Sequence, residues 1–342
     1  MRSRPERAAS SIYIITFGPR PQSRALGLVG ASTISPKVEA EGRRSVIDER
    51  DAHVRAEFAC GAGQPLAPER RHKRIEGGKA LFGRDAMANY LLIGAQELGC
   101  TIFEVDGDGR LTLHFDRDII RKLWDSYYVP FIKGYFSAAG RFRSDDIKTG
   151  NLLCYVGSSS SGTFFPSRVI TSDITLKVLP CPKFADGEAF AVQQGAGMVV
   201  TAADEAKVRA SVEFLKWFTL PENDISFSLG SGYMPVTKAA NNMDTIKAAG
   251  LTLSPVVEQV LTGAVATINE NRLYTPLAFE GGQAARKVLE YALSDKAAAD
   301  RAIVVERIAA GMSAEEAEAE FLTDECFDSW YQETLTKLQA YE

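Results

Sequence analysis

The sequence has few of the residues that most catalytic and metal-binding chemistry needs. Its 342 residues include three histidines, His53, His72 and His114, and their spacing fits no metal-ligand pattern. His114 sits in Leu-Thr-Leu-His-Phe, an alternation that assigns it to a strand and a structural role. Five cysteines, Cys60, Cys100, Cys154, Cys181 and Cys326, are far apart and form no Cys-x-x-Cys, so free thiols are expected rather than a disulfide framework. No apolar run approaches the ~20 residues needed to span a bilayer. The basic start Met-Arg-Ser-Arg-Pro-Glu-Arg precedes Ile12–Phe17, which is too short for a signal-peptide core, and no export signal is recognisable. Positive charge is also scarce where most of the chain lies. The net charge of -5 divides into +5 over residues 1–78 and -10 over the remainder. An acidic main body without a basic stripe excludes nucleic acid as its partner.

What is present is ordinary globular composition, 45% hydrophobic and 24% charged, long enough for two lobes with real cores. Residues 1–78 stand apart. They hold twelve arginines and six prolines, and they lack sustained periodicity beyond a strand at Ile12–Phe17 and a weak helix at Val46–Phe58. This atypical head fits either a disordered basic segment or sequence unrelated to the fold. From Gly78 the texture changes. Asp85 is placed to cap a helix to Leu98, and Asp106-Gly-Asp-Gly109 reads as the turn of a hairpin between Ile102–Val105 and Leu111–Phe115. Asp116 opens a helix bent or broken at Pro130, and Ser144 caps a short one ending at Gly150. Later helices are expected at Glu205–Phe218, from Pro221 through Phe227, at Lys238–Ala249, Pro255–Ile268 and about 282–310. A capping box at Ser313-Ala-Glu-Glu316 and a last helix at Asp324–Leu338 follow. In Glu205–Phe218 the side chains Val208, Val212, Leu215 and Trp217 are available to a core. The mixture indicates an α/β architecture.

Two stretches carry the candidate chemistry. Leu152–Val156 is a short apolar strand running into Gly157 and four serines, Ser158 to Ser161, before Gly162. Hydroxyl and backbone N–H groups just beyond a strand end are where open α/β sheets bind ligands. Ala191-Val-Gln-Gln-Gly-Ala-Gly-Met-Val-Val-Thr201 repeats the logic, with a strand expected over Phe190–Thr201 and glycines that permit close approach. Each alone reads equally as a turn rich in small residues; together they suggest a polar, uncharged ligand cleft. The serines lack a G-x-S-x-G elbow, and Gln-Gln-Gly-Ala-Gly is not a dinucleotide fingerprint.

The order Phe-Gly-Arg-Asp (82–85), Arg-Phe-Arg-Ser-Asp-Asp (141–146), Val-Gly-Ser-Ser-Ser-Ser-Gly (156–162), Gln-Gln-Gly-Ala-Gly-Met-Val-Val (193–200), Glu-Phe-Leu-Lys-Trp-Phe (213–218) and Gly-Tyr-Met-Pro-Val (232–236) resembles the family 1 extracellular solute-binding proteins. These are the sugar-binding receptors of ABC importers and relatives of maltose-binding protein, and the likeness covers about residues 79–342. The resemblance implies a periplasmic-binding-protein-like (type II) fold of two α/β lobes that close by hinge motion. It places about 79–192 and 275–342 in the second lobe and about 195–270 in a segment returning to the first. The N-terminal part of the first lobe would be missing or replaced by residues 1–78. It further implies a monomer outside the cytoplasm, no cofactor, no enzymatic activity, a carbohydrate ligand and a membrane permease as partner. A binding-incompetent receptor fragment and a carbohydrate-active enzyme are the alternatives.

A sugar receptor supplies hydroxyl, amide and carboxylate hydrogen bonds together with an aromatic surface. On that chemistry Asp85 is the candidate acceptor, Ser158, Ser159 and Ser160 are donor–acceptors, and Gln194 with the Gly195 backbone meets a hydroxyl edge. Tyr233 and Phe279 are candidates to cover an apolar sugar face, with Arg84 and Arg143 as further contacts.

Overall fold

The computed structural model describes residues 12–19, 37–40, 43–46, 80–164, 168–169, 172–195 and 197–342. Strand β1 (Ile12–Pro19) contains the strand expected at Ile12–Phe17, and β2 (Lys37–Ala40) pairs antiparallel with β3 (Arg43–Val46). The helix expected over Val46–Phe58 falls outside the described residues apart from Val46, the last residue of β3. The rest begins with β4 (Ala80–Arg84), α1 (Met87–Glu97), the hairpin β5 (Phe103–Val105) and β6 (Leu111–Leu113), and α2 (Arg117–Ile132). Asp106 turns that hairpin by accepting the Asp108 and Arg110 N–H groups, both at 2.9 Å. Asp116 caps α2 as expected, accepting from the Asp118 and Ile119 N–H groups. Pro130 lies in the last turn of α2, where the helix continues to Ile132.

Next come α3 (Arg143–Lys148), β7 (Leu152–Ser158), a 3-10 turn at Ser159–Phe164, β8 (Arg168–Val169), β9 (Ser172–Pro180) and β10 (Phe190–Val192). Helices α4 (Glu205–Phe218), α5 (Pro221–Ser231), α6 (Met243–Ala248) and α7 (Pro255–Glu270) lead to β11 (Arg272–Tyr274). The long α8 (Gly282–Ala309), α9 (Ala314–Glu318) and α10 (Asp324–Gln339) close the chain. The capping box at the start of α9 is formed in both directions between Ser313 and Glu316.

A mixed five-stranded sheet runs in the order β4-β7-β1-β9-β8. Within it β4 and β7 are parallel, and β1 is antiparallel to both β7 and β9. The parallel pair therefore delivers the ends of β4 and β7 to one edge, where Arg84 faces Val156. β10 and β11 form a separate parallel pair. The strand expected over Phe190–Thr201 stops at Val192, because β11 offers only three partners, Arg272 to Tyr274, and the following glycines gain nothing from extended pairing.

The main core joins residues from α1, α2 and β7 with the final helices. Trp124 is its hub: its ring stacks on Tyr128 at 3.7 Å and meets Trp330 at 4.7 Å. Tyr128 donates to the Asp300 carboxylate, which also pairs with Lys296 at 2.8 Å. A second core, smaller, is built from the buried Ile225, Met234, Ala240, Ile246, Val260, Leu261 and Ala264 between α5 and α7, with Val178 of β9 packed against it. Helix α4 departs from expectation. Its apolar side chains were available to a core, yet none of its residues is buried.

Candidate functional site

The residues at the ends of β4 and β7 converge. Gly83 lets the Arg143 side chain lie across β4: a Cβ there would sit 2.8 Å from Arg143 Cδ and 2.5 Å from Leu152. Arg143 is buried, and its guanidinium pairs with Asp146 at 2.7 Å and with Asp85 at 3.4 Å. It also donates to the Ser137 and Gly140 carbonyls. Asp85 accepts the Arg143 backbone N–H at 3.1 Å, so Asp85 caps α3 rather than its own helix. That displaces the cap expected from Ser144, because α3 begins two residues earlier than a Ser144 cap implies, with Phe142 as its cap position. The Asp85 carboxyl keeps 22% of its surface exposed. Burial pushes it up to about 6, outweighing the pull of the Arg143 N–H and charge.

Gly157 on β7 closes the approach from the other side, since a Cβ there would lie 2.7 Å from the Tyr155 ring and 3.4 Å from an Asp85 oxygen. Beyond it the serines divide by role. Ser159 is buried and donates to the Gly232 carbonyl at 3.1 Å, which ties the turn to the end of α5. Ser161 donates to the Ser158 carbonyl at 2.7 Å and lies 2.7 Å from the Tyr155 hydroxyl. Ser158 is exposed, and its Oγ is 3.0 Å from that of Ser160. The outward-facing set is thus Asp85, Ser158 and Ser160 on a buried Arg143–Asp146 foundation.

Arg84 points elsewhere. It is buried with its guanidinium 4.6 Å over the Tyr90 ring and 3.9 Å from Cys181 Sγ. It lines a cavity of about 40 Å³ shared with Tyr90, Glu97, Cys181 and Phe190. That space suits about one water and not a sugar ring. Gln194 accepts from the Asn89 amide at 2.9 Å, and Asn89 accepts from Arg286 at 2.6 Å, joining the end of β10 to α1 and α8. Gly195 is exposed. Tyr233 follows Gly232 directly, its ring 6.3 Å from Phe227. Phe279 packs on the main core with its ring 5.2 Å from Phe103, and no described contact joins it to the serine turn. A larger groove, about 540 Å³ between α8 and α10, is lined by Tyr291, Lys287, Trp330 and Lys337 and touches none of these residues.

Sequence reasoning passed over Asn89, Glu97, Arg286 and Glu290, each of which acts on a partner about 90 residues away or more. No local pattern marks such pairs. Gly157 was in view as part of the serine stretch, but its closeness to Asp85 needed the fold.

A mixed sheet with helices packed around it and a separate parallel pair β10–β11 defines an α/β protein. The chain belongs to the family described as bacterial extracellular solute-binding protein, whose model matches residues 66–252. Glycerophosphocholine-bound UgpB from Mycobacterium tuberculosis shares the fold, with 16% identity and a TM-score of 0.52 over 97% of this chain and 70% of that one. The cyclic alpha-maltosyl-1,6-maltose binding protein of Arthrobacter globiformis aligns with a TM-score of 0.49 and 14% identity, over 97% of this chain and 72% of that chain. The maltotriose-bound MalE domain of Bdellovibrio bacteriovorus aligns at 0.48 and 10%, over 97% and 72%. No curated protein matches the chain.

Proposed function

We propose that the chain is the receptor of an ABC-type importer, and that it binds a carbohydrate at the edge formed by β4 and β7. The observation that carries this reading is the part-exposed Asp85 carboxyl just past the end of β4 and beside Gly157 of β7, which runs directly into the exposed Ser158. A carboxylate and hydroxyls recognise a polyol without any need for a nucleophile. The serines bond to one another, to Tyr155 and to the Gly232 carbonyl, contacts suited to holding hydrogen bonds rather than to activating an attack. Gln194, Gly195 and Tyr233 would border the same ligand, while Arg84, Arg143 and Ser159 would hold the frame. Phe279 would serve the core.

The main core, whose buried residues all fall in 81–184 or 285–338, supports placing 79–192 and 275–342 in one lobe and 195–270 in the other, with β10 and β11 between them and Val178 of β9 reaching the second core. Ligand binding would favour a closed arrangement that a permease recognises outside the cytoplasm, in keeping with a family described as extracellular.

Isothermal titration against maltose, longer maltooligosaccharides and simple polyols tests this. Saturable binding that weakens about tenfold or more in Asp85→Asn is expected, since a hydrogen bond to a charged group is worth roughly 1.5–3 kcal/mol. Binding left unchanged by both Asp85→Asn and Ser158→Ala would move the site elsewhere. Heat from no member of the panel would favour a folded receptor that does not bind sugar.

A further inference from the structure

Helix α8 grips the first turn of α1 with two side chains one turn apart. Glu290 accepts the Met87 and Ala88 N–H groups, and Arg286 donates through Nη2 to Asn89 Oδ1 at 2.6 Å. Asn89 is 2% exposed, and it passes the contact on by donating through Nδ2 to Gln194 Oε1 at 2.9 Å. Gln194 is set in place from β11 as well. The Gln193 N–H donates to the Tyr274 carbonyl at 2.7 Å, which carries the parallel pairing one residue past Val192. Nη1 of Arg286 is buried with no acceptor among the described residues, so Asn89 is where this guanidinium makes its hydrogen bond.

The chemistry of the three side chains gives this relay a direction. A guanidinium carries only donors, whereas a carboxamide has an oxygen that accepts and a nitrogen that donates. The Asn89 atom against Arg286 must therefore be its oxygen, since a nitrogen there would set donor against donor away from water. That turns Nδ2 toward Gln194, and the Gln194 atom that meets it must again be oxygen. Both orientations follow from the arginine. What remains is Gln194 Nε2, which donates to no described residue, on a half-buried side chain at the end of β10 beside the exposed Gly195.

Given that a carbohydrate binds at the neighbouring β4–β7 edge, the reading on which the selectivity rests, we infer that Arg286 is a positioning residue for specificity. Through Asn89 it fixes Gln194 so that the ligand meets N–H donors there and no acceptor. The group recognised is a sugar oxygen that accepts: a ring, glycosidic or N-acetyl carbonyl oxygen. An ammonium of an amino sugar can only donate, and at that point it is turned away. Asp85 supplies the opposite polarity, an acceptor, just before the start of the same helix.

Exchange of side-chain NH2 protons with water, followed by NMR on the isotope-labelled full chain, tests the relay without a ligand. Gln194→Glu identifies the Gln194 signal by deleting it. In the parent that NH2 should exchange freely. In Asn89→Asp the new carboxylate keeps the bond to Arg286 but has nothing to donate, so Gln194 turns its NH2 inward and exchange slows about tenfold. Arg286→Met should slow it part of the way, because both amides can then turn, and Arg286→Lys, still a pure donor, should keep the parental rate. A Gln194 NH2 already protected in the parent, or one that ignores both Asn89→Asp and Arg286→Met, would overturn the relay. The ligand side is read by calorimetry with maltose, longer maltooligosaccharides and N,N′-diacetylchitobiose. A sugar that binds the parent should bind Gln194→Glu about tenfold more weakly, since glutamate still accepts from Asn89 but loses the N–H donors. Parental affinity in that variant would overturn the selectivity. A parent that binds none of these sugars would overturn the carbohydrate reading, and the selectivity with it, while the exchange pattern decides the relay separately.

Discussion

The Glu290 carboxylate on α8 holds the start of α1, accepting the Met87 N–H at 3.2 Å and the Ala88 N–H at 2.8 Å. These are orphan donors of a helix whose own cap position, Ala86, contributes no side-chain hydrogen bond. A carboxylate there also meets the positive end of the helix dipole. Glu290→Ala should therefore lower stability by about 1–2 kcal/mol, read as a fall in the urea midpoint at unchanged slope. An unchanged midpoint would mean that water replaces the cap at no cost.

Ala86 itself sits at φ 57, the one non-glycine residue with positive φ among those described. A Cβ in the left-handed region costs roughly 1 kcal/mol, and glycine does not incur it. The residue turns the chain sharply from β4 into α1, which frees Asp85 to face α3. Ala86→Gly should raise stability by up to about 1 kcal/mol, with entropy of the unfolded chain offsetting part of the gain. A measurable loss in the same urea titration would show that the methyl group packs favourably enough to outweigh the strain.

Two carboxyls, Glu97 buried and Asp85 partly so, make stability depend on pH. Burial pushes Glu97 up to about 7 against the Phe184 N–H and the charges of Arg84 and Lys183, and pushes Asp85 up to about 6. Between the unfolded value of 4.5 and about 7, folded Glu97 keeps a proton that the unfolded chain has released. Stability from this source is complete below that window and is lost as pH rises through it. Asp85 acts in the same direction over a lower window. Glu97→Gln should flatten the fall, which amounts to about 2–3 kcal/mol. Urea midpoints at about pH 5 and about pH 7.5 provide the comparison. Equal pH dependence in variant and parent would refute the assignment to Glu97.

The sequence carried the features that are settled within a few residues. Asp116 reaches N–H groups two and three positions on, Ser313 and Glu316 satisfy each other, and Leu152–Val156 has the length and apolarity of a buried strand. It did not carry partner choice. Asp85 looked like the cap of the next helix, but Glu290 occupies that role from 202 residues past Ala88, and Asp85 serves Arg143 instead. Periodicity found the apolar arc of α4 correctly and could not say that it is left uncovered, since coverage is a property of other segments. At the site the same limit holds. Ser158 to Ser161 were indistinguishable in sequence, and only the Gly232 carbonyl and the Tyr155 hydroxyl separate the inward serines from the outward ones.

Gly157 offers the most direct way to separate the site from the scaffold. A methyl group there would meet the Tyr155 ring at 2.7 Å and an Asp85 oxygen at 3.4 Å. Tyr155 is fully buried and its hydroxyl is engaged by Ser161, so the ring has little room to retreat. Overpacking of this kind costs typically 1–3 kcal/mol. Gly157→Ala should therefore fold with a lowered melting midpoint through the Tyr155 clash, while its methyl group meets the Asp85 carboxyl at ordinary contact distance and occupies the space beside it. If the proposed ligand binds there, affinity should fall, because the methyl group takes space beside the Asp85 carboxyl that the ligand would use. A destabilised variant that binds with parental affinity would place the ligand away from the β4–β7 edge while leaving the packing argument intact.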